Sequence, residues 1–366
     1  MEYKLRDLLE FKYGKSQKNV ENSKGKYPIY GTSGIMNYAD DFIYDKPTVL
    51  FGRKGNIEHV QYINYPFWAI DTTFYTIIDE SKVIPQYLYY KLKQINFKDY
   101  DEGTTIPSLR IQTLNEIIIN IPNINIQKKI LLILSKIDQK IHLNNQINDN
   151  LFKFAINYIN NKTEEIEVSI SKFAKIQGGY AFKSKDLLDD KTNNRIIKIK
   201  NLRNEINADV INSQFIVDEV VNNIDSKFKL NKGDVTIAMT GAELGKTGFI
   251  YGFDKFYLNQ RVGVIRGKNK EGDLYLKILF LSDEFQTLLN SKGYGSAQPN
   301  ISTSDIESIL INDITEENLK DIYERLNSVY YRIISNCEEN LYLEQLRDTL
   351  LPRLMNGEID LDRIEI

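Results

Sequence analysis

Two stretches of this chain, 192 residues apart, carry the same pattern. Near Pro107 it reads TTIPSLRIQTLNEIIIN and near Pro299 SAQPNISTSDIESILIN, with Pro107/Pro299, Leu109/Ile301, Leu114/Ile306 and Ile117/Ile309 in register. The offset persists through Ile130/Ile322, Leu134/Leu326, Ile137/Val329, Ile141/Ile333 and Leu151/Leu343, and through two polar pairs, Asn144/Asn336 and Asn148/Asn340. Upstream it drifts by a few residues, so that VLFGRKG (49–55) lies opposite VTIAMTG (235–241). A repeat of this length obliges the two halves to adopt one fold twice.

Each half opens with short strand signals bounded by turns: TVLFG, HVQYI and TTFYTII in the first, RIIKIK, DVTIAM, GFIYG and RVGVIR in the second. A short helix is expected late in each, around PQYLYYKLKQI and DLYLKILFLSDEFQTLL. Next comes a run without glycine or proline, 127–160 and 316–351, whose apolar residues recur at alternating steps of four and three. One such stripe alone would pack a helix on its own domain. Two copies related by a pseudo-two-fold axis instead bring the same stripe of each helix against its twin, running antiparallel. The fold expected is mixed α/β: two globular α/β domains, 1–125 and 163–315, joined by two long helices, 126–162 and 316–366 with its tail, in an antiparallel coiled coil. The repeated asparagines either fix register at the seam, at a cost in stability, or face solvent.

Composition narrows the setting. At 366 residues the chain accommodates about two domains. The single cysteine, Cys337, excludes an internal disulfide, and no stretch approaches a membrane span. The N-terminus, MEYKLRDLLEFKYGKSQ, lacks the apolar run of a signal peptide, so a soluble cytoplasmic protein is expected. The net charge of -3 is unevenly spread: 0 for 1–125, +2 for 126–165, +1 for 166–315 and -6 for 316–366. Outside the acidic C-terminal segment, a local basic face is permitted.

The stretch VTIAMTGAELGKTGFIYG (235–252) imitates a nucleotide-binding loop. A P-loop needs G-x-x-x-x-G-K-[ST] leading into a helix, whereas only three residues separate Gly241 from Gly245 and the continuation reads as a strand. A metal-dependent nuclease reading on Asp234, Glu243 and Lys246 misses by one residue, with E-x-x-K in place of E-x-K. With only His59 and His142 there is no metal-ligand or acid–base cluster, and His142 falls within the long helix as a structural residue. No catalytic or metal-binding residue is expected.

Two diverged modules on a helical rod form a ruler. About 30 helical residues span roughly 45 Å, or about 13 base pairs of B-DNA, which suits two unlike half-sites on one duplex. Residues then carry a resemblance: LRDTLLPRLMNGEIDL (346–361), AQPNIS before an Ile-rich strand, and KIDQKIHLNNQINDNL (136–151). These motifs, with the repeat layout over essentially the whole chain, resemble the specificity subunit of type I restriction-modification enzymes. The first half departs in carrying TIPSLR for QPNIS, and the central helix ends in NYINNKTEEIE without LLPRLM. The resemblance implies a non-catalytic subunit that selects a bipartite sequence in double-stranded DNA and docks two methyltransferase subunits, to which translocating restriction subunits can be added. S-adenosylmethionine, ATP and Mg²⁺ would belong to those partners, and no cofactor to this chain.

Base and phosphate recognition requires cationic and amide or hydroxyl side chains on loops, with glycines permitting close backbone approach. In the first half these are Lys15, Ser16, Tyr30, Thr32, Ser33, Arg53, Lys54 and Asn56, then Thr104, Thr105, Ser108 and Arg110. In the second they are Gly178, Gly179, Tyr180, Lys183, Lys200, Asn201 and Arg203, then Thr240, Lys246, Thr247, Asn259, Gln260, Arg261, Ser296, Gln298 and Asn300. The imitation P-loop becomes a DNA-facing hairpin. Leu350, Leu351, Leu354 and Met355 are candidates for anchoring the methyltransferase, or else pack against the rod. Two other classes compete: a stand-alone DNA-acting nuclease or methyltransferase, which predicts turnover by the chain alone, and a coiled-coil adaptor, which predicts no salt-dependent DNA affinity.

Overall fold

The computed structural model describes residues 1–188, 191–203, 206–292 and 300–361. Packing divides the chain into two compact units, Met1–Gln139 with Glu344–Ile366, and Lys140–Leu343. Two long helices, α3 (Ile124–Asn160) and α8 (Glu316–Met355), contribute to both.

The first unit contains strands β1 (Glu2–Lys4), β2 (Leu9–Tyr13), β3 (Tyr27–Gly31), β4 (Gly34–Ala39), β5 (Thr48–Gly52), β6 (Val60–Ile63), β7 (Trp68–Ala69), β8 (Thr73–Ile78) and β9 (Ile118–Asn120), with helices α1 (Pro85–Leu92) and α2 (Ile111–Asn115). Its main sheet has the order β2-β8-β5-β6, a second runs β4-β3-β7, and β1 pairs with β9. Strand β5, TVLFG, is buried throughout because it is central. Its one hydroxyl, on Thr48, donates to the Thr76 carbonyl at 2.7 Å, so the strand buries no unpaired side-chain polar group. Phe51 stacks on Phe97 and meets Phe11 and Phe74 edge-on. The start of α3 closes this core with Ile130 and Leu134. Gln127, fully buried, pins that helix start: Oε1 accepts from the Ile84 amide, and Nε2 donates to the Lys82 and Pro122 carbonyls.

The second unit contains β10 (Glu167–Ser169), β11 (Ala174–Gly178), β12 (Leu187–Leu188), β13 (Asn194–Ile197), β14 (Gln214–Ile216), β15 (Lys229–Leu230), β16 (Val235–Ala238), β17 (Thr247–Phe249), β18 (Lys255–Leu258), β19 (Val262–Gly267) and β20 (Leu310–Asn312), with helices α4 (Asp218–Asn222), α5 (Lys270–Phe280), α6 (Asp283–Lys292) and α7 (Thr303–Glu307). The order β11-β19-β16-β17 reproduces β2-β8-β5-β6, and β10 pairs with β20 as β1 does with β9. Register agrees residue by residue: Glu2 opposes Asn120, and Glu167 opposes Asn312. The repeat read from the sequence is therefore a repeat of hydrogen bonds.

Within the second unit α3 and α8 run antiparallel: Asn144 meets Asn340, Asn148 meets Asn336 and Tyr158 meets Asp321. The asparagines are buried, not solvated. Asn144 Nδ2 donates to Asn340 Oδ1 at 2.9 Å and Asn336 Nδ2 donates to Asn148 Oδ1 at 2.8 Å. The 192-residue offset exchanges these two contacts, as an isologous seam requires. In the first unit Arg347 Nη1, from α8, donates to Asp138 of α3 at 2.9 Å. The helical segments 126–162 and 316–366 are thus not separate bodies, since their ends complete the cores of both units.

Candidate nucleic-acid interface

In each unit, loops gather where the central strand of the main sheet ends. In the first, Arg53 and Lys54 leave β5 and donate their amides to the Thr72 carbonyl at 2.8 and 3.2 Å. The Gly55 amide donates to Pro107, the Leu109 amide donates to Arg53, and Lys54 and Ser108 form a bridge. The Lys15 amide donates to the Ala69 carbonyl. The loop 101–108 is folded around Asp101 Oδ1, which accepts from the Ser108 and Gly103 amides at 2.7 and 2.8 Å. Those two backbone bonds, Ser108 first, hold its carboxyl below the usual aspartate range. Lys15, Ser16, Ser33, Lys54, Asn56, Thr104, Thr105 and Arg110 are exposed there, and Thr32 and Ser108 half-buried. Arg53 is more fixed than a surface arginine. Its guanidinium lies 5.0 Å from the centre of the Tyr13 ring, and Nη1 donates to the Asp71 carbonyl. Arg110 pairs with Glu102.

The second unit repeats this frame. The Met239 amide donates to the Arg261 carbonyl, the Ile301 amide donates to Met239, and Thr240 bridges Asn300. Gly55 and Gly241 both take positive φ, 86° and 81°, which glycine alone adopts freely. The Tyr180 amide donates to Leu258, beside the turn whose exposed Gln260 and Arg261 lie between Asn259 and Val262. Lys183, Lys200 and Asn300 are exposed, and Tyr180 packs on Phe182 and Phe228. The neighbouring Lys198 is half-buried, its Nζ donating to Gln214 Oε1 at 2.6 Å. Burial first, then the charge of Lys200, pushes its pKa down.

Several expected contacts are corrected by burial. Thr247 is fully buried in β17, its hydroxyl donating to the Phe280 carbonyl, and Asn201 is buried with Nδ2 donating to Asp209. Tyr30 is buried and its hydroxyl bonds that of Tyr65. The missing side chain of Gly179 serves the fold, because a Cβ there would lie 2.1 Å from the Asn259 carbonyl oxygen. Gly178 is the last residue of β11. Lys246 and Arg203 are ion-paired to Glu243 and Asp209. Leu351, Leu354 and Met355 belong to the core of the first unit, with Leu350 partly buried against it, so they form no exposed anchor for a partner. Ser296 and Gln298 lie outside the described residues.

The imitation P-loop is a hairpin of β16 and β17, and Gly245-Lys246-Thr247 runs into a strand. Asp234 is buried and engaged by Arg266 and Lys277, which leaves it no free carboxylate for a metal. Residues that sequence reasoning passed over are Tyr13, Asp71, Asp101, Lys198 and His59, whose Nδ1 lies 3.1 Å from the Thr32 carbonyl. Tyr13, Asp71 and His59 act through residues distant in the chain, Arg53 and Thr32, which no local pattern signals, whereas Asp101 acts on the nearby Gly103 and Ser108 amides as an aspartate in a turn can.

A doubled α/β fold on paired long helices, with loop clusters of unlike side chains on one repeated frame, defines a two-module recognition protein rather than a single-site enzyme. The chain belongs to the family of type I restriction modification DNA specificity domains, whose model matches residues 1–153 and again 163–345. It is similar to the type I restriction enzyme MjaIX specificity subunit of Methanocaldococcus jannaschii, 24% identical over 390 residues covering 98% of this chain and 86% of that protein. The MjaVIII specificity subunit of the same organism is 25% identical over 340 residues, 85% of this chain and 76% of that protein. The crystal structure of a type I restriction-modification S subunit from M. genitalium shares the fold, with TM-score 0.57 and 18% identity over 97% of this chain and 95% of that one. The chain is accordingly a DNA-specificity subunit, with recognition and not catalysis as its task.

Proposed function

We propose that each unit reads one half of a bipartite, asymmetric site in double-stranded DNA, and that the chain docks two methyltransferase subunits, with restriction subunits as further partners. S-adenosylmethionine, ATP and Mg²⁺ are then bound by those partners, and the assembly works in the cytoplasm. The observation that carries this reading is the repeated frame with unlike side chains. Lys15 and Tyr180, Lys54 and Thr240, and Ser108 and Asn300 hold matching backbone positions in the two units. Equal placement with different chemistry suits two half-sites of different sequence. Lys15, Lys54, Lys183, Lys200 and Arg261 are exposed and have no ion-pair partner among the described residues, as phosphate and base contacts require.

Docking falls to other residues than those first considered. Phe154 and Leu346 stand 192 residues apart on the long helices, one in each unit, and both are exposed, at 49% and 37%. Exposed apolar side chains at equivalent repeat positions suit two copies of one partner.

The test is DNA binding by the chain assembled with its methyltransferase subunits, on the site mapped from methylated DNA of expressing cells. K54A is expected to relax sequence preference in one half-site and R261A in the other, each also lowering the salt slope by about one, with assembly unchanged. Loss of assembly in either variant, or an effect spread over both half-sites, would overturn this division of labour.

A further inference from the structure

The tip of the β3–β4 hairpin is built in a way that phosphate contact does not explain. Register runs Gly31 to Gly34 and Tyr30 to Ile35, and then jumps to Ile29 opposite Asn37, so Met36 is the extra residue of a β-bulge. In a regular strand Ile35 and Met36 would face opposite sides of the sheet. The bulge re-aims the strand so that both stand in solvent, at 51% and 54% exposure. The tip is also braced: Gln61 Nε2 donates to the Gly31 carbonyl at 3.3 Å and His59 Nδ1 lies against Thr32. Two adjacent exposed apolar side chains on a braced hairpin cost solvation free energy and contribute nothing to the core.

Their position supplies the reason. The Ile70 amide donates to the Tyr30 carbonyl, and Ile70 leads directly into Asp71 and Thr72, whose carbonyls hold Arg53 and Lys54. The apolar tip is thus continuous with the cationic loop cluster of the same unit. Side chains such as Ile and Met beside a cationic surface are what wedge-forming DNA binders push between base pairs. We propose that Ile35 and Met36 form a wedge that enters and unstacks one base step of the half-site read by the first unit. This rests on the reading of the chain as a DNA-specificity subunit. In the second unit the connection between the matching strands, β13 and β14, carries exposed Lys200 and Arg203 and a single exposed aliphatic side chain, Ile211 at 48%, with no adjacent exposed apolar pair among its described residues, so the wedge is assigned to the first unit alone.

The experiment uses the chain assembled with its methyltransferase subunits and duplexes carrying the mapped site, with 2-aminopurine placed singly through both half-sites. Wild type is expected to show fluorescence at a step in one half-site that the I35S/M36S variant lacks, whereas I35L/M36L, which keeps apolar bulk, retains it. The serine variant should bind about tenfold more weakly, and a mismatch at that step should restore affinity, because the unstacking cost is then already met. Equal fluorescence and affinity in wild type and the serine variant would overturn the wedge while leaving specific binding intact. Absence of sequence-specific binding by the wild-type assembly would remove the underlying reading, and the wedge with it.

Discussion

Gly14 and Gly179 hold the same place after the first strand of each main sheet. In each, an added Cβ would strike the backbone of the opposing segment, 1.9 Å from the Ile70 oxygen and 2.1 Å from that of Asn259. No rotamer relieves a clash with backbone, so G14A and G179A should each cost about 3 kcal/mol, lowering the melting temperature by roughly 5–10 °C. A melting curve for either variant that overlays wild type would refute this. Asp101 offers a pH test at the same scale. Its folded pKa lies below the unfolded value of about 3.9. Its contribution is therefore complete above that pH and is lost as pH falls through the depressed folded value. Protection of the Gly103 and Ser108 amides from hydrogen exchange, taken relative to the intrinsic rate at each pH, should fall in acid, and D101A should show the lowered protection already at neutral pH. Single residues were the least legible part of the sequence. Thr247 and Asn201 have the composition of surface loops, yet their polar atoms are consumed by the Phe280 and Asp209 carbonyls, partners that only the tertiary fold supplies.

Among the elements, the long helices were the most legible, because one side-chain period runs through dozens of residues, and the predicted partnering of α3 with α8 is what the structure shows. Their seam carries a further expectation. N148A leaves Asn336 Nδ2 buried without its acceptor and should destabilise by about 1–3 kcal/mol. Replacing both partners, N148L/N336L, should recover most of that loss, since no polar group is then stranded. Urea denaturation of N148L, N336L and N148L/N336L closes the cycle, and simple addition of the two single losses in the double variant would show the pair to be uncoupled. The hairpin of β3 and β4 was not legible. A bulge arises from the register between two strands, and nothing in YPIYGTSGIMNYA announces where Met36 falls out of step.

For the molecule as a whole, the offset of 192 held at the hydrogen bonds that matter, Ser108 with Asn300 and Leu109 with Ile301, and the drift to 186 placed Arg53 and Met239 correctly. What the offset could not reveal was burial, so the C-terminal leucines stayed open between anchoring a partner and packing inward: in α8 they pack into the core of the first unit. The reassigned docking residues make a stoichiometric prediction. L346A and F154A should each lower methyltransferase occupancy from two copies to one, with DNA preference unchanged in what still binds, as measured by native mass spectrometry. Two copies bound by the double variant would place docking elsewhere.

The pairing of Glu2–Lys4 with Ile118–Asn120, and of Glu167–Ser169 with Leu310–Asn312, sets the entry and exit of each globular part side by side. A segment whose ends meet in a clasp can be cut out and spliced in whole without disturbing what lies outside the clasp. One crossover inside α3 would give a new chain an inherited scaffold and a borrowed reading head. New target sequences are then reached by exchanging a cassette, with no need to redesign base contacts one at a time.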